Sequence, residues 1–327
     1  MRHIKTIDDI TKDGDVEFGE GYDFVATAEE ADAILMRSTD LHGYDLPEGI
    51  RAIARCGAGV NNIPVEEYAR HGVVVFNSPG ANSNAVKELV LAMMILSSRG
   101  VVQSMNWVRA NADDPNILAD AEKAKKAFVG RELKGKRVGV VGLGNVGSKV
   151  ANALVDLGMD VYGYDPFISV EHAWALSQNV QRVGTLEDLC RGCDYLTLHV
   201  PSKADTKGMI STEQLALLAP GAVLINYARE TIIDEDAVHA ALESGKLSWF
   251  AGDFATPKTV LMPNTFITTH SGAGTGEAEA NCADMAISEL KDYLENGNIA
   301  NSVNYPACNM GKARAASRIA CLHANVP

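Results

Sequence analysis

The stretch from Arg137 to Asp165, RVGVVGLGNVGSKVANALVDLGMDVYGYD, decides how the rest of the chain is read. Its first residues, Arg137–Val141, form an apolar run of strand length. Gly142-Leu143-Gly144-Asn145-Val146-Gly147 follows at once as GxGxxG and opens a helical pattern. A second strand signal, Asp160–Tyr164, ends on Asp165, eighteen residues beyond Gly147. Gly142 makes the tight turn, Gly144 lets the backbone approach a pyrophosphate, and Gly147 packs the helix close to the sheet. The helix N-terminus offers free N–H groups and a positive dipole end to that anion. Asp165 can accept hydrogen bonds from both adenosine ribose hydroxyls, which favours NAD and repels the extra phosphate of NADP. Glycines alone mark only a tight strand–helix turn. With both strands, the helix and the acid in register, the segment predicts an NAD-binding Rossmann unit.

The alternation extends both ways. Towards the N-terminus, strand signals stand at Ala33–Met36, Ala52–Arg55 and Val73–Phe76. Between the last two, Pro64 opens a short helix and Gly72 closes it. A long apolar helix follows from about Asn84 to Ser98. Towards the C-terminus come Tyr195–His199, Val223–Asn226 and Trp249–Asp253, then a final helix from about Gly276 to Asn296, stopped by Gly297. In that helix Ala278, Cys282, Met285, Ile287 and Leu290 recur near helical spacing. Strands alternating with helices predict an α/β fold of parallel sheets covered by helices.

Length and composition narrow the class. A chain of 327 residues exceeds one ordinary core, so two domains are expected. With 46% hydrophobic and 22% charged residues it is neither disordered nor fibrous. Lys and Arg number 29 against 42 Asp and Glu, a net charge of −13. Such a surface repels phosphate backbones and anionic lipid, so neither nucleic acid nor membrane is an expected partner; a local Arg cluster can still hold a small anion. The longest apolar run, Leu89–Leu96, is far short of a membrane span. The opening MRHIKTIDDI has no secretory apolar segment, and six cysteines are no disulfide framework, so a reducing cytoplasm is the expected compartment. Cys190-Arg191-Gly192-Cys193 is a CxxC, but no second pair or matching His follows at zinc spacing, and no metal is expected.

A Rossmann unit names a cofactor, not a reaction. Hydride transfer to or from a hydroxy acid needs a cation for the carboxylate and a group that moves the hydroxyl proton, most often His. Among eight histidines, His270 stands out in Thr268-Thr269-His270-Ser271-Gly272, just beyond a strand signal at Thr265–Thr268. Arg229 follows Val223–Asn226 at the carboxyl end, where sheets of this class place ligands. On position alone, such a His is more often a hydrogen-bonded structural residue and such an Arg a surface cation.

The chain resembles the D-2-hydroxyacid dehydrogenases, and within them the D-3-phosphoglycerate dehydrogenases, from about Ala33 to Pro306. The matching blocks are RSTD (Arg37–Asp40), RCGAGVNNI (Arg55–Ile63), NSPGANSNAVKEL (Asn77–Leu89), VGLGNVG, LHVPSKADTKGMI (Leu198–Ile210), NYARETIIDEDAV (Asn226–Val238) and TTHSGAGTGEAEANCA (Thr268–Ala283). The resemblance implies a Rossmann NAD-binding domain, 99–273, inserted into a split flavodoxin-like substrate domain, 1–98 with 274–305. It implies that Arg229 binds the substrate carboxylate and carbonyl oxygen, that His270 is the acid/base, and that the N–H groups of Ala58 and Gly59 also hold the carboxylate. Arg37, Ser38 and Asn82 fall at substrate-facing positions, with Arg37 the expected phosphate partner. Asn145, Val146, His199, Val200, Pro201, Thr206, Tyr227, Ala228 and Asp253 fall at cofactor positions, Asp253 towards the nicotinamide amide. The Asn84–Ser98 helix and the segment after it imply a homodimer. The expected reaction is NAD-dependent oxidation of D-3-phosphoglycerate, the entry step of serine synthesis. Glyoxylate or hydroxypyruvate is the alternative substrate. An NAD-sensing, corepressor-like binding protein is the alternative from another class; it is disfavoured because no disordered or basic interaction tail is evident.

Several positions depart from the family. Most of its members carry a Glu-Pro pair shortly after the Asp253 position, whereas here the chain reads Asp253-Phe254-Ala255-Thr256-Pro257. Neutral Thr256 cannot favour an imidazolium at His270, and Glu279 is the expected substitute acid. Glu230, Thr269 and Asn61 stand in place of a usual glycine, proline and aspartate. Lys87 replaces a smaller residue, either adding charge for a phosphorylated substrate or lying on a solvated helix face. Beyond Pro306, the 306–327 extension holds an apolar run, Arg318–His323, expected as the first strand of a regulatory domain otherwise missing from this chain.

Overall fold

Unbroken apolar runs of four or five residues make strands buried on both faces, and the chain has two sets of them. The computed structural model describes residues 1–8, 10, 17–314 and 318. They fall into two units, Met1–Asn82 with the chain from Thr275 on, and Ser83–Gly274.

The first unit begins with β1 (Arg2–Thr6), β2 (Tyr22–Phe24), β3 (Ala33–Met36), β4 (Ala52–Arg55), α1 (Val65–Arg70) and β5 (Val74–Asn77). Its sheet has the order β2-β1-β3-β4-β5 and is parallel throughout, the flavodoxin-like arrangement. Side chains alternate faces along a strand. Ala33 and Leu35 therefore join one core with Ala52, Ala54, Val74 and Phe76, while Ile34 and Met36 join another with Ile53, Val75 and Tyr68.

The second unit runs through α2 (Ser83–Ser98), α3 (Val101–Ala110), α4 (Ile117–Ala124), β6 (Arg137–Val141), α5 (Gly147–Asp156), β7 (Asp160–Tyr164), α6 (Val170–Ala175), β8 (Gln181–Arg182) and α7 (Leu186–Cys190). It continues with β9 (Tyr195–Leu198), α8 (Thr212–Leu217), β10 (Ala222–Asn226), α9 (Glu235–Glu243), β11 (Leu247–Gly252) and β12 (Thr265–Ile267). The seven strands are parallel in the order β12-β11-β10-β9-β6-β7-β8. This is the doubly wound Rossmann order, and the winding reverses between β6 and β9, where such sheets bind ligands.

The division falls at Asn82/Ser83, whereas the sequence places it after Ser98. The buried face of α2 explains the difference. Val86, Val90, Met93 and Met94 pack with Val138, Val140, Val150 and Val223, so the helix belongs to the seven-stranded sheet. By contrast, α3 and α4 bury no residue.

The chain returns to the first unit with α10 (Gly276–Asn296). The Thr275 hydroxyl caps its start by accepting from the Ala278 N–H at 3.1 Å, and Gly297 ends it in the left-handed region at φ 71°. Cys282, Ala283, Ala286, Ile287, Leu290 and Leu294 cover one face of the five-stranded sheet. Each buried Leu or Ile there is worth roughly 1.5–3 kcal/mol. The expected regulatory-domain strand lies, Arg318 apart, outside the described residues.

Cys190 and Cys193 are fully buried core residues. Burial pushes the Cys190 thiol up to about 12, and the Cys193 thiol donates to the Leu189 carbonyl at 2.9 Å. Among the described residues no three or more His, Cys, Asp or Glu side chains are grouped so as to hold a metal ion, and no helix is long and apolar enough to cross a membrane.

Candidate active site

In the second unit the glycine loop is shaped by close approach. Gly142 adopts φ 84°, and a Cβ there would lie 2.6 Å from the His199 carbonyl oxygen. A Cβ on Gly147 would lie 1.9 Å from the Gly142 carbonyl oxygen. Both positions therefore exclude any side chain. A Cβ on Gly144 would meet nothing within 4 Å, so the space over its backbone is open. The N–H groups of Asn145 and Val146 donate to no described residue, at the N-terminus of the ten-residue α5. An open backbone beside unpaired donors fits a pyrophosphate. Asp165 closes the arrangement from the end of β7, its carboxylate accepting from the N–H groups of Leu143 at 2.8 Å and Phe167 at 2.9 Å. It thus fixes the glycine loop and still has lone pairs for a ribose.

The remaining expected cofactor residues line the ends of β9, β10 and β11. The His199 ring pairs with the buried Thr197 hydroxyl at 2.9 Å, and burial pushes its pKa far down, so it stays neutral. Val200 and Pro201 follow it. The Thr206 hydroxyl donates to the Pro201 carbonyl at 2.6 Å and accepts from the Lys203 N–H at 2.8 Å, closing that loop on itself. Tyr227 is buried, which raises its hydroxyl to about 12.

Arg229 is positioned by a residue that sequence reasoning passed over. Asn226, 1% exposed at the end of β10, accepts from the Ala228 N–H at 3.2 Å and donates to the Arg229 carbonyl at 2.8 Å. One amide thereby staples the three-residue turn that carries the guanidinium.

The turn bearing His270 is fixed from β11. Asp253 is 2% exposed, and its carboxylate accepts from the Thr268 hydroxyl, the Ser271 N–H at 2.8 Å and the Gly272 N–H at 2.7 Å. Its carbonyl accepts from the His270 N–H at 2.8 Å. These bonds make Asp253 first a clamp on the His270 turn, where the sequence offered only a nicotinamide contact. His270 itself is exposed, sits in the left-handed region at φ 55°, and rests its ring on Phe254 at 4.8 Å. A non-glycine residue there costs roughly 1–3 kcal/mol, and the Asp253 bonds offset it. The Thr256 hydroxyl, at the position of the missing acid, donates to Glu235 at 2.8 Å. Lys87 points its ammonium at the Asn84 side chain, 2.6 Å away on its own helix.

In the first unit, Arg37 and Ser38 follow β3 in a loop wrapped round Asp8. The Asp8 carboxylate accepts from the N–H groups of Arg37 at 2.7 Å, Ser38 at 2.8 Å and Thr39 at 3.1 Å. Burial pushes this carboxyl up, but the bonds from Thr39, Arg37 and Ser38 outweigh it and hold it below the usual range. Asn62 grips the other side, donating to the carbonyls of Thr39 at 2.8 Å and Arg37 at 3.3 Å. The Arg37 guanidinium donates to Glu279 on α10 at 2.5 Å. Glu279, expected as a substitute acid for His270, is therefore engaged within its own unit. The N–H groups of Ala58 and Gly59 donate to no described residue, and the Ala58 carbonyl accepts from Asn77 at 2.6 Å. Asn82 is half-buried at the end of this unit.

The family model described as "D-isomer specific 2-hydroxyacid dehydrogenase, NAD binding domain" matches residues 91–272. The chain is 32% identical over 326 residues to the D-3-phosphoglycerate dehydrogenase of Methanocaldococcus jannaschii, covering 95% of this chain and 59% of that one. It is 34% identical over 296 residues to the corresponding protein of Bacillus subtilis, covering 86% and 54%. The chain thus spans little more than half the length of these relatives. Among solved structures, the NAD+-bound 3-phosphoglycerate dehydrogenase of Entamoeba histolytica superposes with a TM-score of 0.71 at 28% identity, over 93% of this chain and 98% of that one.

Proposed function

We propose that this chain, which belongs to the D-isomer-specific 2-hydroxyacid dehydrogenases, oxidises D-3-phosphoglycerate to 3-phosphohydroxypyruvate with NAD. What carries this reading is that Arg229 and His270 each sit on a turn clamped from the end of a neighbouring strand, by Asn226 and by Asp253, in the same unit as a glycine loop that fits a pyrophosphate. Arg229 would hold the substrate carboxylate and C2 oxygen bidentately. His270 would take the C2 hydroxyl proton while the C2 hydride leaves, giving the ketone, NADH and a proton. Bound NAD would supply the hydride acceptor, held by the Asn145 and Val146 N–H groups and by Asp165. Arg37, with Ser38 beside it, would receive the phosphate, and the Ala58 and Gly59 N–H groups would help hold the carboxylate. The place of the reaction would be the first step of serine synthesis, in the cytoplasm, where the five described cysteines remain thiols.

A homodimer is part of the same reading. It is supported by α3 and α4, which bury nothing yet expose Met105, Val108 and Leu118.

The test is purified protein with NAD and 3-phosphoglycerate, followed by NADH formation. Turnover should fall at least about 100-fold in both His270→Asn and Arg229→Ala, the loss expected for a proton carrier and for a charge-assisted binding group. NAD binding without turnover of any D-2-hydroxy acid would leave the corepressor-like reading in its place. Preferred turnover of glyoxylate or hydroxypyruvate would move the substrate and keep the roles.

A further inference from the structure

Arg37 does not present a bare cation. Its backbone is locked on both sides, the N–H by Asp8 and the carbonyl by Asn62, so the start of its side chain is fixed. Its guanidinium then reaches Glu279, in the first turn of α10, through one N–H at 2.5 Å. The two side chains are 40% and 42% exposed. The hydrogen bond holds Arg37 above its ordinary pKa and Glu279 below its own, so both stay charged at neutral pH.

A guanidinium has five N–H donors, and Glu279 occupies one of them. The others remain for an incoming anion, but that anion arrives next to a carboxylate of like sign. We propose that Glu279 is a specificity-determining residue that keeps Arg37 half-neutralised, so the phosphate of a substrate must share Arg37 with a built-in competitor. This rests on the reading that Arg37 receives the phosphate. It assigns Glu279 a different task from proton chemistry at His270: it weakens phosphate binding and narrows the preference for phosphorylated over unphosphorylated 2-hydroxy acids.

Glu279→Gln is the informative change because glutamine keeps an oxygen to accept from Arg37 while removing the charge. Inorganic phosphate is the probe, titrated by calorimetry into the NADH-bound protein, a measurement that needs no turnover. Its Kd should fall on the order of tenfold in Glu279→Gln, the effect of one charge on a neighbouring dianion in a half-exposed site. The ratio of kcat/KM for 3-phosphoglycerate over D-glycerate should rise with it. In an Arg37→Gln background the same substitution should change phosphate affinity much less, because the two residues act as a pair. An unchanged or weaker phosphate Kd in Glu279→Gln would overturn the proposal, as would a gain that persists without Arg37. A protein that oxidises D-glycerate but not 3-phosphoglycerate would refute the substrate assignment while leaving the phosphate titration to decide the role of Glu279.

Discussion

Asn226 and Asp253 do related work at the ends of neighbouring strands: each is buried and spends its polar atoms on the turn that carries a proposed site residue, Arg229 or His270. Asn226→Leu should leave the fold in place but free the Arg229 turn, lowering kcat/KM for the hydroxy acid by roughly 10–100-fold. Asp253→Ala removes three acceptor bonds from the His270 turn and should cost about 3 kcal/mol of stability as well as most activity, read by thermal melting beside turnover. For Asp165→Ser the expected outcome is at least a tenfold rise in KM for NAD and a relative gain with NADP, since the ribose acceptor and the repelling charge go together. If the NADP/NAD ratio does not move, Asp165 serves only to brace Leu143. The place of Asp165 at the end of β7 was legible in the sequence because it sits at a fixed offset from the glycine loop. Arg229 and His270 took their expected roles from the family resemblance, position alone favouring a surface cation and a structural histidine. Asp8 and Asn226 were not legible, because a short polar side chain declares its partner only when a loop folds over it. The same limit applies to Glu279, whose pairing with Arg37 joins residues far apart in the chain.

Helix α10 shows how much an element can be read in advance and what it conceals. The Thr275 cap at its start was not read in advance, whereas its end at Gly297 and its apolar stripe through Cys282, Ile287 and Leu290 were. The apolar strands β3, β4, β6 and β7 were equally plain. Strands β1 and β2 were not, since RHIKT and YDF are short of apolar residues and only partly buried. The polar occupant of the buried face was also hidden. Glu289 is 7% exposed; one carboxylate oxygen accepts from Asn301 at 2.7 Å and the other has no partner among the described residues. Burial pushes its pKa up from 4.5 to about 7, against the lowering effect of the Asn301 bond. The folded chain therefore holds this proton longer than the unfolded chain does. Its contribution is full below about pH 4.5 and is lost as pH rises through 7, a change on the order of 3 kcal/mol. Melting wild type and Glu289→Gln from pH 5 to 8 should show this slope in the wild type and a flatter curve in the variant. Parallel curves would mean that Glu289 stays solvated.

On the scale of the whole molecule, the exposed apolar residues of α3 and α4 set the expectation for assembly. Met105→Glu with Leu118→Lys should shift the protein from dimer to monomer in sedimentation, leaving the melting of the two sheets largely unchanged. A monomeric wild type would remove the homodimer from the proposal. The interrupted first unit has a further consequence, in time rather than in space. The sheet β1–β5 emerges first during synthesis, but the helix that covers one of its faces is not made until the whole of Ser83–Gly274 has been translated. At 5–20 residues per second that wait is on the order of 10–40 s. Throughout it, the face carrying Leu35, Ala54 and Phe76 has no α10 to lie under, while the inserted unit can complete its own core. The nascent chain should therefore recruit chaperones through this earlier-made sheet and reach native structure in reverse, the later-made unit first.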